Sequence, residues 1–469
     1  MTTSNTASLS SLGIGSGLDA NSIVTQLVAL QRQPIANLKT QVSAIQTKVS
    51  AYGQIQSAVA SLQTAAQKLT NPATWSATTA ASSDSTSVSA STSDGAVPGA
   101  YSVNVLSLAA PQSVVSKTTL ASSTSLVGAG TLHIELGAWS GSAFTGKSGA
   151  TPVDITISAT DTLDDVRSKI NSSNSGVTAS IITDASGARL VMQSSTTGAS
   201  NGFRTTGLSA LAYDPGTATT GTTLTQAAGD ASATVNGVAV TSATNTLSNV
   251  LSGISLTLNK VTTSPVAVTV AQDNTSITKA ITDFATAYSS MSNLLLADTK
   301  YDAGSKTAGP LQGDSTAVGL QSQFRSLVGS TSNASSMYGT LSSIGLEIQA
   351  SGALTVNTAK LTAALGNLGE VKKLFANSDS VDPSKNGLAV RFNTVASNML
   401  AFDGAITTRT SGLNTSIQNN QKQQDVLDSR AVLYEKLLRA QYSALDKQMA
   451  ALTSQGNYVT QQINAFNKG

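Results

Sequence analysis

The stretch from Leu413 to Leu452, LNTSIQNNQKQQDVLDSRAVLYEKLLRAQYSALDKQMAAL, decides how the chain is organised. Leu413, Ile417, Asn420, Gln424, Leu427, Ala431, Tyr434, Leu438, Gln441, Leu445, Gln448 and Leu452 alternate steps of four and three. That spacing is a heptad seam on one side of a long helix. Four of these twelve positions are amides, and polar seam residues lower stability while selecting register and partner number. A seam one-third amide completes its packing on another chain, or on an antiparallel helix of the same monomer. Both readings stay open for the middle of the stretch. The helical pattern as a whole spans Leu388 to Phe466.

The N-terminal end has a matching pattern. Asp19 or Asn21 can cap a helix, followed by Ile23, Leu27 and Leu30 at helical spacing. Pro34 is expected to break or restart it. Leu38, Val42, Ile45, Val49 and Tyr52 then form a heptad seam, and a three-residue step to Ile55 resets its phase before Val59, Leu62, Ala66 and Leu69. Such a reset is a stammer, which overwinds a supercoil locally. Asn71-Pro72 stops the helix.

Between these helices the periodicity changes from about 3.6 to 2. Tyr101–Leu108, Leu132–Leu136, Val153–Ile157, Ile254–Leu258 and Val266–Val270 alternate apolar and polar residues, and Asn236-Gly237 is a hairpin turn. One helix interrupts them, with Asp161 and Asp164 as a capping-box-like start and Val166 and Ile170 behind. The Ser, Thr and Gly-rich stretches near 80–95, 121–130, 140–151 and 194–224 are expected as loops or joints. From Ile277 the chain turns helical again, with Ile281, Phe284, Tyr288 and Leu295 on one face and a small hairpin around Ser351-Gly352.

The expected architecture is therefore α+β and multidomain: terminal helices form a coiled-coil or helical-bundle leg, with β-rich head domains inserted between them. The expected divisions are a disordered export-type N-terminus over 1–17, leg helices over 18–72 and a β head over 73–273 with one subdomain nested in another. A helix-and-hairpin leg domain follows over 274–405, then a coiled-coil helix over 406–469.

Composition narrows the function. Only 11% of the 469 residues are charged, against about 25% in an average soluble protein. Net charge is +2 with no basic cluster, so nucleic acid and anionic membranes are poor partners. The chain has no cysteine, which removes disulfides and thiolate metal sites. The N-terminus has no basic and apolar run of a cleavable secretory signal. No apolar run approaches the roughly 20 residues of a membrane span.

Candidate chemistry does not accumulate. Gly141-Ser-Ala-Phe-Thr-Gly146-Lys147-Ser148 matches the phosphate-binding pattern G-x-x-x-x-G-K-[ST], but that chemistry needs a helix whose N-terminal amides hold the phosphates. Here another alternating strand follows, so a β–β loop is expected. Gly13-x-Gly15-x-Gly17 follows no strand. His133 is the only histidine and lies in a strand. Asp161, Asp164 and Asp165 lie where helix-capping carboxylates belong, and Asp184, Asp214 and Asp302 lack EF-hand spacing. No enzyme, cofactor or metal is expected.

Several stretches resemble a known family. Leu12-Gly-Ile-Gly-Ser-Gly-Leu-Asp19, Ile23-Val-Thr-Gln-Leu-Val and Gln33-Pro34 resemble the N-terminal signature of bacterial flagellar filament caps, the hook-associated proteins of the distal tip. Pro98–Ala109 is similar to the first head strand of that family. Asp161–Asn171 with Gly176-Val-Thr-Ala-Ser resembles a repeat of hook and cap proteins. Val235-Asn-Gly-Val and Asn245–Leu258 are the most specific match, and Gly309–Ser315 and Leu341–Leu346 add to it. Residues 112–150 and 195–225 match no motif, as a variable head surface would.

The resemblance implies a homo-oligomeric ring of four to six subunits at the filament tip, outside the cell. Such a cap promotes folding and insertion of exported flagellin and prevents its loss. It further implies contact with the hook–filament junction protein, flagellar type III export, and a cytoplasmic chaperone on the C-terminal helix, with Ile463 and Phe466 as contacts. Leu413, Ile417, Asn420, Gln424, Leu427, Tyr434, Leu438, Gln441, Leu445 and Leu452 are the expected oligomer or flagellin contacts. A seam with amides at Asn420, Gln424 and Gln441 suits contacts that are remade as each subunit adds. The alternatives are another axial component, such as a junction protein or flagellin, and a surface adhesin for a host glycan or mucin. A nucleotide hydrolase is the most distant reading.

Overall fold

The computed structural model describes residues 19–217 and 219–467, except for the side chains of Thr219, Asn249 and Phe466. The expected disordered N-terminus over 1–17, its glycine motif and the start of the family signature lie outside the described residues. The chain divides into two compact units, Ala73–Ile277 and the segments on either side of it.

The flanking segments build a helical unit. Its helices are α1 (Ala20–Thr70), α2 (Pro72–Trp75, at the junction), then, beyond α3 (Leu163–Ser172) of the other unit, α4 (Asn274–Thr299), α5 (Ser315–Val328), α6 (Thr358–Leu365), α7 (Leu368–Ala376), α8 (Leu388–Leu400) and α9 (Ala405–Phe466). Asp19 caps α1, accepting from the Ser22 amide at 3.0 Å. Pro34 does not break the helix: α1 runs through it without interruption. Proline removes one backbone donor, but it is exposed while Val28 and Ile35 on either side are buried, so packing of the flanking turns overrides the local cost. The inward face at the start of α1 is Val24 and Val28, whereas Leu30 is exposed. From Leu38 onward the expected seam faces inward, with Tyr52, Ile55, Val59, Leu62, Ala66 and Leu69 buried. The helix ends at Asn71, as Asn-Pro requires.

The core of this unit is aromatic. Phe392 of α8 lies 5.1 Å from Phe284 and 5.9 Å from Tyr288, both edge-on, and stacks on Phe324 at 6.3 Å. Hairpin Leu346–Ile348/Leu354–Val356 forms around Gly352 as expected. The expected single helix from Leu388 to Phe466 is instead two, broken at Ala401–Gly404.

The second unit is β-rich. One five-stranded sheet has the order Thr78–Ser82, Val266–Gln272, Gly99–Ser107, Ala231–Val235, Val238–Ser242, all antiparallel. Together with the sheet Thr246–Leu251, Ile254–Leu258, Val88–Thr92 it encloses Val88, Val103, Val105, Leu256, Val268 and Val270. A second core, around Leu132, Ile134, Val166, Leu190 and Phe203, is built from the chain between Ala110 and Gly229, which pair with each other. There α3 packs against strand Val177–Asp184. Its capping box is Thr162 with Asp165, not Asp161 with Asp164. The Thr162 hydroxyl, unlike a second carboxylate, can both accept from the Asp165 amide and donate to the Asp165 side chain. The stretch near 80–95 expected as loop holds two strands, and that near 194–224 holds Gly202–Thr206 and Thr222–Gln226.

Candidate assembly surface of the terminal helices

Helices α1 and α9 lie side by side and antiparallel. Gln41 of α1 meets Asn420, Arg32 lies 3.5 Å from Asp428, and Asn21 accepts from Arg439 at 3.1 Å. Upstream of the break, α8 keeps the same register on α1, with Gln63 donating to Ser397 at 2.7 Å. The middle of the seam thus packs within the monomer. Leu413, Ile417, Asn420, Gln424 and Leu427 lie on the α1 side, with Leu413 and Asn420 buried. The Asn420 amide is satisfied there, donating to Gln41 at 3.4 Å and accepting from Gln424 at 2.9 Å.

Beyond Ala431 the seam is only partly covered. Leu438 is buried with Val24 and Val28, and Tyr442 packs beside it, whereas Tyr434, Gln441, Leu445 and Leu452 are exposed. The antiparallel register sets Asn21, in the first turn of α1, opposite Arg439, so the later heptads of α9 extend past the described start of α1. Leu445, Met449, Leu452, Val459 and Ile463 are exposed there along one line of α9. The Phe466 side chain lies outside the described residues.

A buried polar cluster anchors the start of α9. The Asp314 carboxylate is 1% exposed, accepts from the Tyr52 hydroxyl at 2.7 Å, and pairs with Arg409 at 2.7 and 3.1 Å. It also caps α5 through the amides of Thr316 and Ala317. Burial works to raise the Asp314 pKa, but the hydrogen bonds from Tyr52 and Arg409 outweigh it and leave the group below its ordinary value. Burial and the neighbouring carboxylate push Tyr52 far above the ordinary tyrosine value. Nothing in the local sequence signals this cluster, since its members come from three distant helices.

The candidate chemistry sites resolve structurally. In Gly141–Ser148, residues Ala143–Gly146 form a strand paired with Gly130–Ser140, and no helix follows. Lys147 donates to Asn201 at 2.6 Å. His133 pairs across strands with Asp154 at 2.6 Å. Asp161 accepts from Lys169 and from the Ser158 amide. Among the described residues no acidic or histidine cluster could hold a metal ion, and no helix is long and apolar enough to cross a membrane.

Comparisons with known proteins agree along the chain. A family model described as the N-terminus of flagellar hook-associated protein 2 matches residues 16–112, and one described as its C-terminus matches 228–454. The flagellin hook IN motif matches 143–196, the region of the expected repeat. Flagellar hook-associated protein 2 of Escherichia coli is 34% identical over 97% of this chain and 98% of its own. The B-type protein of Pseudomonas aeruginosa is 28% identical over 85% of each. The three-domain crystal structure of the flagellar cap protein FliD from Escherichia coli has a TM-score of 0.62 at 32% identity, covering 78% of this chain and 99% of that one.

Proposed function

The chain belongs to the family of flagellar hook-associated protein 2, and from that membership we propose how it caps a flagellar filament. It is a structural protein of the filament tip, where it promotes flagellin insertion and prevents flagellin loss. The observation that carries the mechanism is the exposed apolar line on the last part of α9, Leu445, Met449, Leu452, Val459 and Ile463. Apolar residues in such a line mark a surface that another helix covers. Flagellin and neighbouring cap subunits are its partners at the tip, with Tyr434, Gln441, Leu445 and Leu452 as contacts. Leu413, Ile417, Asn420, Gln424, Leu427 and Leu438 contribute indirectly, by holding α9 on α1.

The subunits form a ring of four to six, beside the hook–filament junction protein at the start of growth. Before export through the flagellar type III apparatus, a cytoplasmic chaperone covers the same end of α9 at Ile463 and Phe466. Both uses of that end exclude each other, so the chaperone keeps subunits from assembling early. The head surface over 112–150 and 195–225 is free to take a host glycan or mucin.

The test is to add purified chain to hook-bearing cells lacking their own cap gene. The full chain is expected to restore polymerised flagellin on cells, and a chain ending at Leu427 is not. Flagellin that still leaks into the medium, despite folded protein and a matched flagellin, would refute the capping mechanism in favour of a junction protein or adhesin.

A further inference from the structure

Phe402, in the break between α8 and α9, is 95% exposed and the most exposed large apolar side chain among the described residues. The turn that presents it is closed. The Gly404 amide donates to Ala401 at 2.9 Å, and the Thr408 hydroxyl donates to the Asp403 carbonyl at 3.3 Å. A Cβ at Gly404 would come within 2.4 Å of the Met399 carbonyl, so the turn admits glycine and little else. An aromatic held out on a stiff turn loses little entropy on docking. Asp403 beside it is also exposed, and its carboxylate has no hydrogen bond or ion pair among the described residues.

The same unit carries a complementary groove of about 560 Å³, walled by Leu327, Pro383 and Val395 with Thr394 at its lip. Arg391 lines it, donating to the carbonyls of Thr331 at 2.9 Å and Ser384 at 2.7 Å, with its Nε unpartnered. No carboxylate compensates its charge among the described residues, and burial lowers its pKa. The walls are pinned in place: Asn333 donates to the Ser384 carbonyl at 3.0 Å, Ser332 to Asn386 at 2.9 Å, and Glu370 accepts from Ser335 and the Ser336 amide at 2.8 Å.

We propose that Phe402 and Asp403 of one copy seat in the Arg391 groove of a neighbouring copy, the ring against Leu327, Pro383 and Val395 and the carboxylate on the guanidinium. This rests on the reading of the chain as an oligomeric cap. Aromatic and arginine anchors in desolvated pockets dominate interface energetics, and arginine with carboxylate gives a directed, charge-assisted contact. Because two different patches meet, the contact is heterologous and repeats from copy to copy, which is how a ring closes.

The chain has no cysteine, so engineered pairs report without background. Purified full-length Ala401→Cys, which keeps the Phe402 ring, mixed with Thr394→Cys is expected to give a covalent dimer on mild oxidation. Neither variant alone should do so, and the double variant should give a ladder of linked oligomers. Phe402→Ala is expected to keep the helical content of the wild type and to self-associate about 30-fold more weakly. Arg391→Asp should weaken association similarly and recover when combined with Asp403→Arg. Assemblies that form while the cysteine pair stays unlinked and Phe402→Ala associates normally would overturn the contact. A chain that stays monomeric and unlinked at every concentration would overturn it too. Filament growth separates this from the cap function: a wild-type chain that fails to restore growth refutes the cap, while the cross-link still decides the contact.

Discussion

Tyr52, Asp314 and Arg409 join α1, α5 and α9 through one nearly buried carboxylate. Removing that carboxylate strands a tyrosine hydroxyl, leaves a guanidinium unpaired and uncaps α5. Asp314→Ala is therefore expected to lower the unfolding free energy by roughly 3 kcal/mol, the cost of breaking a buried pair from one side. Tyr52→Phe, which loses one hydrogen bond, should cost about 1 kcal/mol. Urea unfolding of the full chain at neutral pH measures both; equal, near-zero effects would show that the cluster does not anchor α9.

The two groups also give opposite pH dependences. Asp314 titrates lower when folded, so its contribution is complete above its unfolded pKa of about 3.9 and is lost as pH falls through the folded value. Tyr52 titrates higher when folded, so its contribution is complete below about pH 10 and is lost as pH rises beyond that, where the unfolded tyrosine ionises first. Tyr52→Phe should remove the Tyr52 part of the alkaline loss of stability and also shrink the acid limb, because the Tyr52 hydroxyl is one of the donors that hold the Asp314 pKa down, which unfolding curves across pH would report.

Along α9 the amide seam answers to α1 before it answers to any neighbour. Asn420, which is buried, faces Gln41, which is exposed, through a half-buried hydrogen bond, and replacing both partners of such a bond by apolar groups is near-neutral or stabilising. Gln41→Leu with Asn420→Leu is thus expected to raise the melting temperature of the helical unit by several degrees and to slow filament growth, if release of the leg is part of growth. A more stable leg with unchanged growth would separate the two. Truncation at Leu427 removes Leu438 and Tyr442, which cover Val24 and Val28. The first turns of α1 then lose their packing, and short helix ends without packing are marginal in water. Circular dichroism should show more helix lost than the deleted residues account for.

The order of helices, strands and helices was legible because periodicity belongs to single segments. Pro34 misled, since the packing of Val28 and Ile35 that sustains α1 is tertiary. Strands Thr78–Ser82 and Val88–Thr92 were hidden by their serine and threonine content, because what makes them strands is pairing with Val266–Gln272 and Ile254–Leu258 far along the chain. The heptads of α9 were visible, but how far α1 covers them depends on the register that sets Asn21 opposite Arg439, which is a tertiary property. Phe402, Asp314 and Arg409 left no periodic trace, and Tyr52 showed only as a seam residue, not as a partner of Asp314.

At the scale of the whole molecule, the β unit is an insertion whose two ends meet. Thr78 pairs with Gln272, the Asp273 amide donates to Ala77 at 2.9 Å, and the Gln272 side chain donates to the carbonyls of Trp75 and Ala77 at 3.0 and 2.7 Å. Entry and exit are thus tied within the unit itself, and its two apolar cores are built from residues between Ala80 and Val270. A domain with its own core and adjacent ends folds without its host. The fragment from Ala73 to Ile277 is therefore expected to be monomeric, β-rich by circular dichroism and cooperative in urea, with a midpoint unaffected by Asp314→Ala in the full chain. The full chain should in turn unfold in two steps, only one of which moves with Asp314→Ala. A single transition shifted as a whole by that substitution would mean that the leg and the head share one cooperative unit. Substitutions over 112–150 and 195–225 would then carry a stability cost in the helical unit, which independent folding of the two units avoids.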